Sequence, residues 1–334
     1  MQDRRRRLPA VKPPRWLGRA LRVAFLLAAV VLVVLTLRDQ GPELREAVAQ
    51  TGITAVLASL LAVLVGLLAS ALVWRALLAD LGSRLPLRPA LHVFFLGQLG
   101  KYLPGSVFAV AAQMELGRDQ GVSRSRVGAA GLLFMGVLTA TGLLVAAVAL
   151  PFSSPDALRT YFWVLAVLPV GLLCLTPPIL TRLVATLLRV LRRDPLERPL
   201  SWTGVGASVG WALTMWAAYG VHVLLLVETL SRRGLAELSV LSLGGYALAW
   251  TVGFLFLVAP AGAVLREGVL VLALAPELGR PRALAVAVVS RGVMTLGDLL
   301  WGAIGALLRP RRAPDGTDVA TVNPVQQLGK AADA

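Results

Sequence analysis

Residues 53–74 contain no Asp, Glu, Lys or Arg. A helix over them would cross the roughly 30 Å hydrocarbon core of a bilayer. Similar apolar runs recur at about 21–37, 127–150, 160–180, 204–228 and 283–308, separated by short loops that carry arginine. The runs are continuous rather than alternating, which excludes a barrel. Lipid offers a peptide group no hydrogen-bond partner, so each spanning segment must satisfy its own backbone as a helix. The expected fold is therefore all-α, a polytopic membrane helix bundle. Composition agrees, with 57% hydrophobic and 15% charged residues over 334 positions and a mean hydropathy of +0.75.

Two further apolar segments, 89–115 and 239–276, are interrupted by Pro and Gly. The first holds Lys101 beside Pro104 and Gly105, and the second holds Pro260 and Gly262 just ahead of Arg266 and Glu267. Irregular backbone at membrane depth is tolerated only where protein or a water-filled cavity surrounds it, and transporters place substrate sites at such breaks. The architecture expected is about six full spans plus two broken, re-entrant-like segments. The domain plan is a basic cytoplasmic arm at 1–20, a membrane domain at 21–308 and a disordered tail at 309–334.

The net charge of +15 comes almost wholly from arginine, with only three lysines. The arginines flank apolar spans, so they indicate topology and anionic lipid rather than nucleic acid. Residues 1–22 and the loops at 75–88, 116–126, 182–198 and 309–312 carry 22 basic residues, against 7 in the loops at 38–46, 156–159, 228–237 and 277–282. That asymmetry places both termini in the cytoplasm of a plasma-membrane protein. Basic residues flank 89–115 on both sides, so it should form a hairpin that enters and leaves on the cytoplasmic side. Segment 239–276 must then start and end outside, either as a hairpin turning near Pro260 and Gly262 or as two spans, the second a short one. Two breaks entering from opposite faces are what an inverted repeat would produce. Residues 182–193 place arginines on one helical face and leucines on another, which fits an interfacial amphipathic helix or an extension of the preceding span.

The first apolar run follows basic residues, as in a signal peptide. It ends in Thr36, Leu37, Arg38 and Asp39 without a small-residue cleavage site, so a retained helix is expected. The single Cys174 offers no disulfide, and His92 and His222 alone make no Cys/His metal site. No metal and no cofactor are expected. Nucleophile elbows, zinc-protease motifs, Walker loops and dinucleotide fingerprints are lacking, so no enzyme activity is expected.

Ionisable groups within spans are the first functional candidates, since each costs about 2.5–3.5 kcal/mol to insert unless it is paired or hydrated. Lys101 could meet a lipid phosphate, or it could snorkel to the interface. Gln113, Glu115 and Arg118 follow on the next half-helix, where Glu115 and Arg118 could also be a simple surface pair at i,i+3. Arg266 and Glu267 are adjacent and cannot face one another. Each should therefore meet another intramembrane charge, for which Arg291 and Asp298, seven residues apart on one face, are available. These four could form a structural network or an anion-binding cluster. His222 fits a satisfied helix-packing residue, and the tryptophans fit belt or packing roles.

The run Lys101, Tyr102, Leu103, Pro104, Gly105, Ser106, continued from Gln113 to Ser123, resembles the first signature of the lysylphosphatidylglycerol synthase transmembrane (flippase-like) family. Pro260 and Gly262 followed by Arg266, Glu267, Ser290 and Arg291 are similar to its second signature. The resemblance covers nearly the whole membrane region. It implies a protein that moves phospholipids between leaflets, without the aminoacyl-transferase domain of larger members. Where the family often has an arginine and a Glu-Arg pair, this chain has Gln113 and the pair Phe134, Met135. The intramembrane charges and the resemblance together give a candidate site of Lys101, Pro104, Gly105, Gln113, Glu115, Pro260, Gly262, Arg266, Glu267, Arg291 and Asp298. Its partners would be membrane lipids, anionic ones above all, and a separate synthase or glycosyltransferase. A subunit or enzyme for polyprenyl-linked glycans and a non-transporting scaffold are the alternatives.

Overall fold

The computed structural model describes residues 49–102, 107–153, 159, 162–190, 195–196, 198–255 and 264–309. The expected first helix, the arm and most of the tail lie outside them, as do Pro104, Gly105, Pro260 and Gly262. All regular structure among the described residues is helical. The elements are α1 (Ile53–Asp80), α2 (Leu87–Gln98), α3 (Val107–Arg118), α4 (Arg124–Ala149), α5 (Val167–Cys174), α6 (Pro177–Val190), α7 (Trp202–Val227), α8 (Leu235–Leu255), α9 (Leu265–Leu278) and α10 (Arg280–Leu307). Tight helical turns cover Leu99–Tyr102, Leu150–Ser153 and Phe162–Ala166.

Helices α1, α4, α7, α8 and α10 are each long and apolar enough to cross a membrane. Their outer faces are apolar as well: Ile53, Leu57, Leu61 and Val65 form an exposed stripe at every fourth position of α1. In water such a stripe would drive association, whereas in hydrocarbon it is the solvated face. Hydrophobicity does not drive helices together in lipid, so close approach through small residues must do so. The α1–α7 contact shows this, because a side chain on Gly66 would run into the ring of Tyr219.

The described parts of the loops at 75–88, 116–126 and 182–198 gather at one end of the bundle and those at 228–237 and 277–282 at the other, the grouping their basic content implies. At one end, Arg198 donates to the Ala79 carbonyl at 3.0 Å and Arg126 to Ser83 Oγ at 3.2 Å. There too, Asp80 accepts from the Ser201 amide at 2.9 Å, just before α7. At the other end, Arg233 pairs with Glu277 at 2.5 Å and donates to the Ser153 carbonyl at 3.2 Å, and Arg282 reaches the Leu230 carbonyl at 3.4 Å.

Segment 89–115 forms two 12-residue helices, α2 and α3, packed together. Each rises only about 18 Å, too short to cross alone. Gly97 lies against Gln113 and Gly100 against the backbone of Phe108 and Ala109, so the chain returns alongside itself, as expected for a hairpin. Segment 239–276 is unequal instead. Its first leg, α8, is a full-length helix of 21 residues, while α9 has 14. This is closer to two spans with a short second one than to a symmetric hairpin.

The run at 160–180 differs from the single span expected. Helices α5 and α6 meet at 71°. Pro177 and Pro178 cannot donate backbone hydrogen bonds and disfavour helix in the residue before them, and Thr176 closes the first helix by donating to the Leu173 carbonyl at 2.7 Å. Beyond the bend, α6 buries Leu180, Val184 and Leu188, exposes Leu183, Leu187 and Val190, and turns Arg182 and Arg189 outward. The bend and these three sectors favour a separate interfacial helix over a straight extension of a span.

Candidate polar site in the membrane region

Helix α10 carries both of its candidate charges far from either end. Arg291 lies eleven residues from Arg280, about 17 Å along the axis, and Asp298 lies about 10 Å further on. The two broken elements approach this strip from opposite ends of the bundle. Lys101 sits beyond the twelve residues of α2, and Arg266 lies twelve residues before the end of α9, each about 18 Å deep.

At the hairpin tip, Lys101 Nζ lies 2.8 Å from Asp298 Oδ1 and 2.7 Å from Oδ2. The hydroxyl of Tyr102 donates to Oδ2 at 2.6 Å. Below the tip, the hairpin is held to α10 by packing: Phe95 stacks on Trp301 at 4.6 Å, Leu99 lies against Gly302, and His92 Nδ1 is 2.8 Å from the Gly305 carbonyl.

At the other contact, Arg291 Nη1 lies 3.4 Å from Glu267 Oε1. Both Glu267 oxygens are buried and make no hydrogen bond among the described residues. Arg266 departs from expectation. It pairs with no carboxylate among the described residues; its guanidinium donates to the Tyr246 hydroxyl and lies 4.9 Å from that ring's centroid. Charge meets a π face and a hydroxyl here rather than an anion. Arg266 is only 8% exposed. It follows Val264, whose φ of 73° is rare for a β-branched residue.

Tyr246 extends the network inward. Its ring meets Tyr219 at 5.5 Å and His222 at 5.7 Å, both edge-on. His222 is fully buried, with Nδ1 2.6 Å from Ser59 Oγ and Nε2 2.8 Å from Ser290 Oγ. It is thus a satisfied packing histidine that ties α1, α7 and α10 together, as its sequence context suggested.

The arrangement brings together Lys101, Arg266, Glu267, Arg291 and Asp298, and it leaves two expected members apart. Glu115 is an exposed residue that pairs with Arg124 at 2.7 Å and Arg118 at 3.5 Å, the surface alternative foreseen for it. Gln113 is buried against Gly97 as part of the hairpin's internal packing. Sequence reasoning missed Tyr102, Tyr219 and Tyr246 as site residues. The chain has four tyrosines, and three of them converge here, a scarcity that was a readable signal.

Bilayer-length helices with apolar outer faces and a charged network at mid-depth define a multi-pass integral membrane protein. Residues 20–302, most of the chain, match the family described as the lysylphosphatidylglycerol synthase TM region, and the chain belongs to that family. No curated protein shows a significant match to it.

Proposed function

We propose that this protein moves a phosphate-bearing lipid between the leaflets of the cell membrane, with both termini in the cytoplasm. The observation that carries the reading is Arg266, a guanidinium buried at membrane depth with no carboxylate partner among the described residues. Lys101, Arg266 and Arg291 carry three positive charges, while Glu267 and Asp298 carry two negative ones. One uncompensated cation at membrane depth favours an anion beside it. Rocking of the two Pro/Gly-interrupted elements against α10 would give alternating access. The chain's membership of a family named for a lipid synthase supports lipid as the source of that anion.

The test is translocation of a fluorescent phosphatidylglycerol in reconstituted vesicles. Arg266→Gln should lower translocation about tenfold or more while protein yield stays near that of the wild type. Unchanged translocation at normal yield would remove Arg266 from the site.

A further inference from the structure

We infer that Asp298 is a built-in competitor for the phosphate: its carboxylate occupies the anion position made by Lys101 and Tyr102, and lipid binding displaces it, releasing the hairpin tip from α10. The inference rests on the phosphate-binding reading above and adds how that site is regulated.

Three observations converge on it. Adjacent residues, Lys101 and Tyr102, aim an ammonium and a hydroxyl at the two oxygens of one carboxylate, at 2.6 to 2.8 Å. The two non-bridging oxygens of a phosphodiester offer the same kind of double acceptor. The pair is also lopsided, with the Lys101 side chain 30% exposed and that of Asp298 7%. An incoming anion therefore reaches the lysine from its open side while the aspartate stays in the protein. Finally, apart from a polar contact of Tyr102 with Thr295, the other grips of the hairpin on α10 among the described residues are apolar or backbone contacts nearer its base, at Phe95, Leu99 and His92. Exchange of the ionic tie would loosen the tip and leave the base seated. Before lipid arrives, Lys101 is neutralised by Asp298 and Arg291 faces Glu267. Arg266 would draw the anion in, and Lys101 would then change partners.

The experiment measures binding of dihexanoyl phosphatidylglycerol to the full-length protein in detergent by calorimetry. Alongside it, hydrogen exchange is followed over the peptide that contains Leu99–Tyr102. Asp298→Asn should bind the probe about tenfold more tightly than the wild type, within the usual range of allosteric coupling. The Lys101→Gln, Asp298→Asn double variant should lose that gain. In the wild type, saturating probe should raise exchange at the tip and leave α4 unchanged, while inorganic phosphate alone should not. Asp298→Asn binding no tighter than wild type, with Arg266→Gln binding lost, would overturn the competitor and leave the phosphate site standing. No binding by any of the proteins would instead remove the phosphate site, and the competitor with it. Should Asp298→Asn fail to accumulate, the wild-type exchange decides, and an unchanged tip overturns the inference. An equal response to inorganic phosphate would overturn lipid as the displacing group.

Discussion

A buried guanidinium held by a tyrosine is an expensive feature in a membrane, and Arg266 is that feature here. The charged members of the site were legible in the sequence because charge stands out in apolar runs. The seven-residue spacing placed Arg291 and Asp298 on one face of α10. Their partners were not legible. Arg266 and Glu267 were each expected to meet Arg291 or Asp298; Glu267 does face Arg291, but Asp298 went to Lys101 and Arg266 to Tyr246, since pairing depends on where the broken elements end rather than on spacing. Serines are common in apolar spans and carry no sequence signal there, so the Ser59–His222–Ser290 tie was invisible. His222→Ala leaves two buried hydroxyls without their partner. With two interhelical hydrogen bonds lost at about 0.6 kcal/mol each, it should cost on the order of 1 kcal/mol, read as a lower melting temperature in detergent. Glu115→Gln removes only exposed ion pairs, typically worth up to about 1 kcal/mol. It should leave both yield and translocation at wild-type levels; a large loss of transport would return Glu115 to the site.

The hairpin and the bend are the informative elements. Basic residues on both flanks revealed the hairpin, because a segment that begins and ends among arginines on one side does not cross. The contacts that close it are finer. Gly100 lies where an added Cβ would be 2.8 Å from the Ala109 amide nitrogen. Gly100→Val should therefore force the legs apart at a cost of about 1–3 kcal/mol. Lower yield together with faster proteolysis near residue 100 would show it, and a protein of wild-type stability would argue against the packed hairpin. An interfacial helix over 182–193 was one of two readings, but the position of the bend at α5–α6 was not legible because hydropathy averages over Pro177 and Pro178, whose effect is on backbone geometry. The unequal legs of α8 and α9 were likewise ambiguous, since an apolar run does not reveal where its helix stops.

For the whole molecule, the charge count of 22 against 7 and the contacts at each end of the bundle agree on which loops lie together. Which end faces the cytoplasm is the proposed orientation, and it rests on the charges alone. Reporter fusions after Arg312 should report inside and insertions at Gln40 outside; the reverse pattern would invert the orientation. Cysteines replacing Arg88 and Ser123 should label from the same face, and labelling from opposite faces would turn the hairpin into a crossing. The central claim is that the charges gathered along α10 hold a lipid phosphate, and native mass spectrometry of the purified protein tests it most directly. The wild type should retain a bound phospholipid, and Arg266→Gln should lose most of it at equal yield. A wild-type protein that carries no phospholipid, or an Arg266→Gln protein that keeps as much, would contradict the account.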